Sequence, residues 1–486
     1  MTSPPHPINK STNHQIHKSA DPIASTNPTV TETLPRAAGY RQLWTIGWPV
    51  AISTSTVTLL TLVNLFWIGH RGTAALAAVS VCGNILFIVF GLANIVHAGA
   101  LAIVSRRVGA ARLRDAYAAT LHAVALGALI GVIVAALGYA TAPGVVGFFG
   151  VGAEVEAIAV SYLRVMYIGQ IPLFISVALS ACYQAAGKTR LPMLTNVAVV
   201  VANGIADPFF IFAPGQVTVA GMPLGWLGWG VDGAAIAAAL ASAGGALLLL
   251  GVSIALRAPF APPAEGPTRF ELGQVWHMLR IGTPASITMI ARPLSTFLLL
   301  KVVATFGTTA IAAFGIAIRT LGVNWIPYSG IHVAVSALVG QSLGARRIHE
   351  AERVVHRGVA VTAVLGALFC VLYYLWARDI MLAFDSDPAV VTAGASFLKL
   401  IALSFLFSGP MFPLASAMNG AGDTKPPMIV AFLANWAVKL PLAYALAVPL
   451  GMGVDGVWQA MFVSIAFEAV VLFAWYRRGT WKRRAV

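Results

Sequence analysis

The fold of this 486-residue chain is decided by a short sequence that occurs twice, GKTRLPM at residues 187–193 and GDTKPPM at residues 422–428. Two further pairs of glycines keep the same offset of 235 residues: Gly47 with Gly282, and Gly109 with Gly344. The offset shortens to 223 only later, where GVDG at 230–233 returns at 453–456. One offset that holds over roughly 140 residues indicates a duplicated unit rather than chance.

The composition places this duplicated unit in a lipid bilayer. Hydrophobic residues make up 58% of the chain and charged residues only 10%, whereas soluble domains carry about 25% charged residues. Twelve apolar stretches are long enough to cross about 30 Å of hydrocarbon, and they lack the alternation of a barrel strand. Their predicted extents are 43–69, 74–103, 117–141, 160–186, 190–214, 231–256, 276–306, 309–338, 354–376, 396–420, 427–449 and 455–476. The sequence therefore predicts an all-α integral membrane protein.

Six spans in each repeat bring both halves into the membrane from the same side. We therefore expect twelve transmembrane helices in two six-helix lobes, related by a pseudo-twofold axis along the membrane normal. The predicted regions are a polar, disordered tail at 1–41, a first lobe at 42–257, a linker at 258–275, a second lobe at 276–478 and a basic end at 479–486.

The basic excess of the chain, a net charge of +14, gives the orientation. If both termini are cytoplasmic, 19 Lys and Arg residues fall in or beside the inner loops, and five fall on the opposite side. This asymmetry is typical of a multi-pass protein of the bacterial inner membrane with both termini in the cytoplasm. It explains the positive charge without a nucleic-acid partner.

Only two of the 17 acidic residues lie well inside predicted spans, Asp207 and Glu468. A carboxylate in the membrane costs several kcal/mol unless it is paired, hydrated or protonated, so both are functional candidates. Asn203 lies four residues before Asp207 and shares its helix face, and Pro208 is expected to break the helix there. The group could bind Na⁺ or carry a proton, or Asp207 could only cap the half-helix that follows a break.

Four motifs stand in the loops between spans: SRRVGA at 105–110, AGKT at 186–189, QSLGA at 341–345 and GAGDTKPP at 420–427. They resemble the loops of the multidrug and toxic compound extrusion (MATE) family, in its DinF-like branch. The resemblance covers roughly residues 41 to 480. It implies two six-helix lobes around a central cavity, and export of organic cations or other amphipathic toxic compounds in exchange for H⁺ or Na⁺.

The resemblance also implies roles for residues of the first lobe. Asn203 and Asp207 match the cation site of the DinF-like branch, but the usual acid of the first span is replaced by Asn64, and a threonine ligand by Ala238. Asp207 would then act without a second carboxylate, which favours H⁺ over Na⁺. Pro49 matches the proline at which the first helix bends in the family, and is the expected hinge.

Charged residues of the second lobe form the other candidate group. Arg292, Arg319 and Lys439 lie in the seventh, eighth and eleventh spans, and Glu468 lies in the twelfth. Arg319 resembles an arginine of the family that is read as structural. Glu468 is equally compatible with proton handling and with a structural ion pair. We expect Arg292, Lys439 and Glu468 to form a paired polar network, with Arg319 as a further candidate member, and coupling to be confined to the first lobe.

The sequence thus predicts a cation-coupled antiporter that works by alternating access between the lobes. Its expected partners are small amphipathic or cationic substrates and membrane lipid, and we expect a functional monomer without cofactor or catalytic residues. One alternative is a lipid-linked saccharide flippase of the same superfamily, for which about fourteen spans would be expected. The other is a membrane-embedded lipid-modifying enzyme, which would need His, Asp or Glu clusters at one interface. No Walker motif is present, so the chain does not use ATP directly.

Overall fold

The computed structural model describes residues 39–219, 222–261 and 270–484. Nearly all of the predicted tail at 1–41, the middle of the predicted linker and the last two residues lie outside these ranges. Residues 39–484 belong to one compact unit.

Twelve membrane spans follow one another in the part of the chain that is described, eleven formed by continuous helical segments and one by a bent pair. Their bounds are Tyr40–Gly69, Thr73–Gly109, Leu113–Gly147, Ala153–Ala185, Arg190–Ile211, Gly230–Ala255, Leu272–Ala304, Thr308–Gly322 with Trp325–Gly344, Ile348–Leu375, Pro388–Gly420, Lys425–Ala447 and Gly453–Arg477. The smaller elements are a helix at Ala377–Leu382, a 3-10 turn at Thr480–Arg483 and an antiparallel hairpin of Val217–Val219 with Met222–Leu224. The predicted all-α class and the twelve spans are confirmed.

Two spans depart from a regular helix. The eighth bends by 42° between Gly322 and Trp325. The eleventh contains a π-helical segment, Leu433–Lys439, between two α-helical pieces. Irregular helices of this kind occur often at functional sites, and the π segment carries the charged Lys439 at its end.

Several helices are longer than the apolar stretches that predict them. The third span is predicted at 117–141 but its helix covers Leu113–Gly147, and the eighth, predicted at 309–338, ends at Gly344. Hydropathy follows the thickness of the hydrocarbon, whereas a helix continues as long as its backbone hydrogen bonds do. The additional turns extend the bundle beyond the apolar layer.

The repeated GKT and GDT sequences are helix stops. After the fourth span, Gly187 takes a left-handed conformation and the N–H of Lys188 bonds to the carbonyl of Tyr183. After the tenth span, Gly422 does the same, and the N–H of Asp423 bonds to the carbonyl of Met418. This is the Schellman arrangement, for which glycine is preferred because it has no Cβ. Prolines then stand in the first turn of the eleventh span, as their position in the repeat predicts.

The two lobes touch through glycines that the repeat had already paired. A Cβ on Gly109 would overlap the carbonyl of Gln341, and a Cβ on Gly344 would overlap the carbonyl of Arg106. Gly47 lies against Gly330, where a Cβ on Gly330 would overlap the carbonyl of Gly47 and a Cβ on Gly47 would be a tight contact. The equivalent contact in the second lobe brings Gly282 against the backbone of Ile95. Each contact has its counterpart 235 residues later, so the pseudo-twofold relation extends to the lobe interface.

Polar contacts close the same end of the bundle. Arg106 donates to the carbonyl of Ala421 over 3.2 Å, and Gln341, its repeat counterpart, donates to the carbonyl of Ala185 over 2.7 Å. This end carries the arginine-rich loops after the second and eighth spans, and we call it the basic end. Among the described residues, glycines near the opposite end of the bundle make no such contact between lobes. The lobes are therefore held together tightly at the basic end.

Candidate functional site

Hydrogen bonds join the three polar residues that the sequence predicts in the first-lobe site. The amide of Asn203 donates to Oδ2 of Asp207 over 2.9 Å and to Oδ1 of Asn64 over 2.7 Å. Asn203 and Asp207 are fully buried, and Asn64 is nearly so. Asn203 and Asp207 are in contact because residues four apart share a helix face, while Asn64 lies on the first span.

Two oxygen atoms of this site have no partner among the described residues. They are Oδ1 of Asp207 and Oδ1 of Asn203, both buried. A buried acceptor without a hydrogen bond costs about 1–3 kcal/mol, so the site favours a species that supplies positive charge or a donor. A proton on Asp207 would do so, and so would a Na⁺ ion, for which oxygen ligands are suitable.

The sequence predicts a break at Pro208, but the helix around this site is continuous. The fifth span runs through Pro208 to Ile211, and the N–H of Phe212 still bonds to the carbonyl of Pro208. Proline removes one hydrogen bond, but the helix ends only three residues later and loses little by it. Asp207 therefore lies within a continuous helix and does not cap a second half-helix.

Among the described residues that form the site, Asp207 is the one carboxylate. Ala238, which occupies the position of the expected threonine ligand, is buried and offers no side-chain oxygen. Within the described ranges, no group of three His, Cys, Asp or Glu side chains converges as a metal site. Any ion bound here would depend on Asp207 for its charge and on amides for its other ligands.

The second lobe contains a separate polar network with a different charge. Arg292 of the seventh span forms an ion pair with Glu468 of the twelfth. Lys439 donates to Oδ1 of Asn435 over 2.8 Å and to the hydroxyl of Thr296 over 3.2 Å. The interpretation of Glu468 as a member of a structural ion pair thus has a geometric basis.

Arg319 does not join this network. It is exposed on the eighth span, and no ion pair or hydrogen bond links it to Arg292, Lys439 or Glu468 in the described part of the chain. Inclusion of Arg319 among the possible members of the network is therefore wrong. Like the other charges it lies within a span, but its side chain is exposed, and a hydropathy profile does not resolve which face of a helix a residue occupies.

Sequence reasoning missed the neutral members of the network. Asn435 accepts from Lys439 and, over 3.4 Å, from Ser295, while Thr296 completes the group. One signal was available: Asn435 precedes Lys439 by four residues, as Asn203 precedes Asp207.

With both sites described, the chain can be compared with known proteins. The MatE family matches residues 49–209 and 284–445, one segment in each lobe. The chain belongs to the MatE family. Members of this family are transporters, so the protein is an integral membrane transporter and not an enzyme.

Curated MatE relatives cover nearly the whole chain at low identity. "Probable multidrug resistance protein NorM" of Thermotoga maritima is 25% identical over 425 residues, which are 86% of this chain and 88% of the relative. "Probable multidrug resistance protein YoeA" of Bacillus subtilis is 22% identical over 465 residues, which are 95% and 98% of the two chains.

Solved structures of MATE transporters share the fold. A MATE structure in complex with MaD3S superposes with a TM-score of 0.82 at 21% identity, over 91% of this chain and 97% of the other. A MOP superfamily transporter from Pyrococcus furiosus superposes with a TM-score of 0.81 at 22% identity, over 92% and 97% of the two chains. The predicted pair of six-helix lobes is thereby confirmed.

Pro49, the expected hinge of this MatE protein, lies inside the continuous first helix. Two residues earlier, Gly47 lies against Gly330 of the eighth span. One turn later, the hydroxyls of Thr54 and Ser329 are 2.9 Å apart. The first helix is thus held against the second lobe on both sides of the proline.

Histidines occupy equivalent positions at the lobe interface. His97 and His332 are separated by the repeat offset of 235 residues. A ring nitrogen of His97 lies 2.8 Å from Oε1 of Gln184, and one of His332 lies 2.7 Å from Oγ of Ser416. The repeat thus places one histidine at the same position in each lobe.

His122 has another function in the MatE fold. Its Nε2 accepts the backbone N–H of Glu271 over 2.8 Å, and its ring stacks on Phe270 at 4.7 Å. It therefore attaches the end of the segment that joins the two lobes to the third span. This agrees with a packing role for His122.

Proposed function

We propose that this protein is a cation-coupled antiporter that exports organic cations or other amphipathic toxic compounds by alternating access. The single observation that carries the proposal is the buried Asp207, whose Oδ1 has no partner among the described residues. Such a carboxylate is stable when it binds a cation and unstable when it does not. A transporter can use that difference to couple ion movement to a conformational change.

H⁺ is favoured over Na⁺ as the coupling ion. A proton needs only the free oxygen of Asp207, whereas Na⁺ needs several oxygen ligands. Asn64 already accepts a hydrogen bond from Asn203, and Ala238 contributes no ligand. Replacement of the usual first-span acid by Asn64 and of the usual threonine by Ala238 affects Na⁺ binding more than it affects protonation of Asp207.

The names of the relatives support the substrate class. NorM of Thermotoga maritima and YoeA of Bacillus subtilis are both described as multidrug resistance proteins. We extend this description to the present chain as a proposal. The functional unit is proposed to be the monomer, because each chain contains both lobes.

The transport cycle alternates between two relative positions of the lobes. Close glycine contacts at the basic end support a conformation that is closed there, and Pro49 is the proposed hinge for rearrangement of the first helix. The proposed lobes are 42–257 and 276–478, joined by the linker at 258–275. The basic end is proposed to face the cytoplasm of a bacterial cell from the inner membrane, with both termini on that side.

Ion-driven efflux from proteoliposomes tests the proposal. Wild type, Asp207→Asn, Glu468→Gln and Asp455→Asn are reconstituted, and export of an organic cation is driven separately by a proton gradient and by a sodium gradient. Asp455 is an exposed acid at the start of the twelfth span and serves as the matched control. We expect proton-driven export that is lost in Asp207→Asn and kept in Asp455→Asn. Activity under neither gradient would reject the function, and loss of transport in Glu468→Gln with normal transport in Asp207→Asn would reject the site.

A further inference from the structure

Lys439 is a buried cation that has no acidic partner in the part of the chain that the structure describes. Lys439 is only 5% exposed. Its two hydrogen-bond partners, Asn435 and Thr296, are neutral. Among the described residues, no carboxylate lies within ion-pair distance of its amino group.

The acid of the second lobe is already engaged. Glu468 is paired with Arg292, and the seventh, eleventh and twelfth spans contribute two positive charges and one negative charge to this region. A net charge of this kind in the membrane costs several kcal/mol. Either Lys439 loses its proton, or a negative charge from outside the chain completes the network.

Hydrogen-bonding capacity remains for such a charge. An ammonium group has three donors, and Lys439 uses two of them. Nε of Arg292 is buried and has no partner among the described residues. The site therefore retains two charged groups with an unused N–H, on two different helices.

Arg292 is the most exposed member of this network, and its helix packs against the first lobe. The side chain of Arg292 is 33% exposed, unlike those of Lys439 and Glu468. On the same helix, Ile290 lies against Gly91 of the first lobe, and Ser286 donates to the carbonyl of Gly91 over 2.6 Å. The seventh span thus runs along the other lobe next to the charged network.

We propose that Lys439 and Arg292 form a binding site for a singly charged anion in the second lobe. The anion is a small inorganic ion such as chloride or the carboxylate of an exported amphipathic compound. Only the second source rests on the proposed export function. Glu468 competes with the anion for Arg292 and thereby keeps the affinity moderate.

Anion-dependent thermal unfolding of the purified full chain tests this proposal. Wild type, Lys439→Gln, Arg292→Gln and Glu468→Gln are titrated with sodium chloride or sodium benzoate, and the variants are compared at the same ionic strength. Lys301→Gln is the matched control, because Lys301 is an exposed cation on the same helix as Arg292. A bound anion raises the unfolding temperature in a saturable way, since it binds the folded state only.

We expect saturable stabilisation of wild type and Lys301→Gln, and at least a tenfold loss of anion affinity in Lys439→Gln. Glu468→Gln should bind the anion several-fold more tightly, which a merely structural role of the network would not produce. Saturation by chloride alone identifies an inorganic anion, and selective saturation by benzoate identifies a carboxylate ligand. Absence of stabilisation in wild type, equal responses of wild type and Lys439→Gln, or unchanged affinity in Glu468→Gln would overturn the proposal.

This measurement is independent of the efflux experiment. It uses no ion gradient and does not involve Asp207. Loss of efflux together with normal anion binding would reject the proposed export function and retain the site. Normal efflux without anion binding would retain the proposed export function and reject the anion site.

Discussion

Asp207 and Lys439 occupy corresponding helices of the two lobes, and each is hydrogen-bonded to the asparagine four residues before it. Asn203 donates to Asp207 over 2.9 Å, and Lys439 donates to Asn435 over 2.8 Å. The asparagine is a donor in the first lobe and an acceptor in the second, because its amide can rotate to match either charge. Each lobe thus has a buried polar pair on its fifth span, near the same place in the repeat but with opposite charge, which makes the lobes chemically unequal.

Replacement of Asp207 by Asn should uncouple transport. We expect gradient-driven export to fall at least tenfold, because the amide can neither release a proton nor carry negative charge. The fold should be retained, since an amide fits the same space. The measurement is the initial rate of proton-driven efflux from proteoliposomes, with Asp455→Asn as the control. Wild-type rates in Asp207→Asn would contradict this assignment.

Replacement of Glu468 by Gln should destabilise the second lobe. Removing one partner of a buried ion pair costs about 3–5 kcal/mol, and partial exposure of Arg292 should reduce the cost to about 1–3 kcal/mol. The free energy of unfolding can be measured in detergent without added chloride or benzoate, so that anion binding does not offset the loss.

A peripheral ion pair supplies the control for this measurement. Glu352 pairs with Lys482, and both side chains are about 30% exposed. The equivalent substitution Glu352→Gln should cost no more than about 1 kcal/mol. Equal costs at the two positions would show that Glu468 does not act as a buried partner.

Replacement of Gly109 by Val should separate the lobes at the basic end. Gly109 has no room for a Cβ beside the carbonyl of Gln341, so the substitution should favour the conformation that is open there. A cysteine introduced at Ala421, which accepts a hydrogen bond from Arg106 across the interface, should react faster with a membrane-impermeant maleimide applied from that side. The three native cysteines are buried, which keeps the background low.

Gly83→Val is the matched control for this experiment. Gly83 lies on the same helix as Gly109, but a Cβ there would meet no neighbouring atom. Its substitution should leave the labelling rate unchanged. Equal labelling of both variants would show that the glycine contact does not hold the lobes together.

Replacement of His122 by Ala should loosen the connection between the lobes. The change removes the acceptor for Glu271 and the stacking contact with Phe270, at a cost of about 1–3 kcal/mol. We expect faster proteolysis in the segment 258–275 and an unchanged pH profile of transport. His356→Ala, at an exposed position, is the control. A shifted pH profile in His122→Ala alone would indicate proton relay instead of packing.

Much of this architecture could be predicted because it depends on local sequence. The pair of Asn203 and Asp207 follows from helix periodicity, and the stops at Gly187 and Gly422 follow from the conformational freedom of glycine. The break at Pro208 was wrongly expected, because the effect of a proline depends on how much helix follows it. The position of Arg319 outside the network could not be foreseen, because depth in the membrane does not tell which side of a helix faces the lobe interior.

The sequence by itself determined that the chain is an integral membrane protein, that it crosses the membrane twelve times and that its two halves are copies. These properties follow from the composition, from the length of the apolar segments and from the fixed offset between the repeats, all of which are features of the linear sequence. Only the tertiary structure decided that Asn64 joins Asn203, that Glu468 pairs with Arg292 and that Lys439 has no ion-pair partner among the described residues. Those facts depend on which faces of distant helices meet, and packing of the whole chain determines which faces these are.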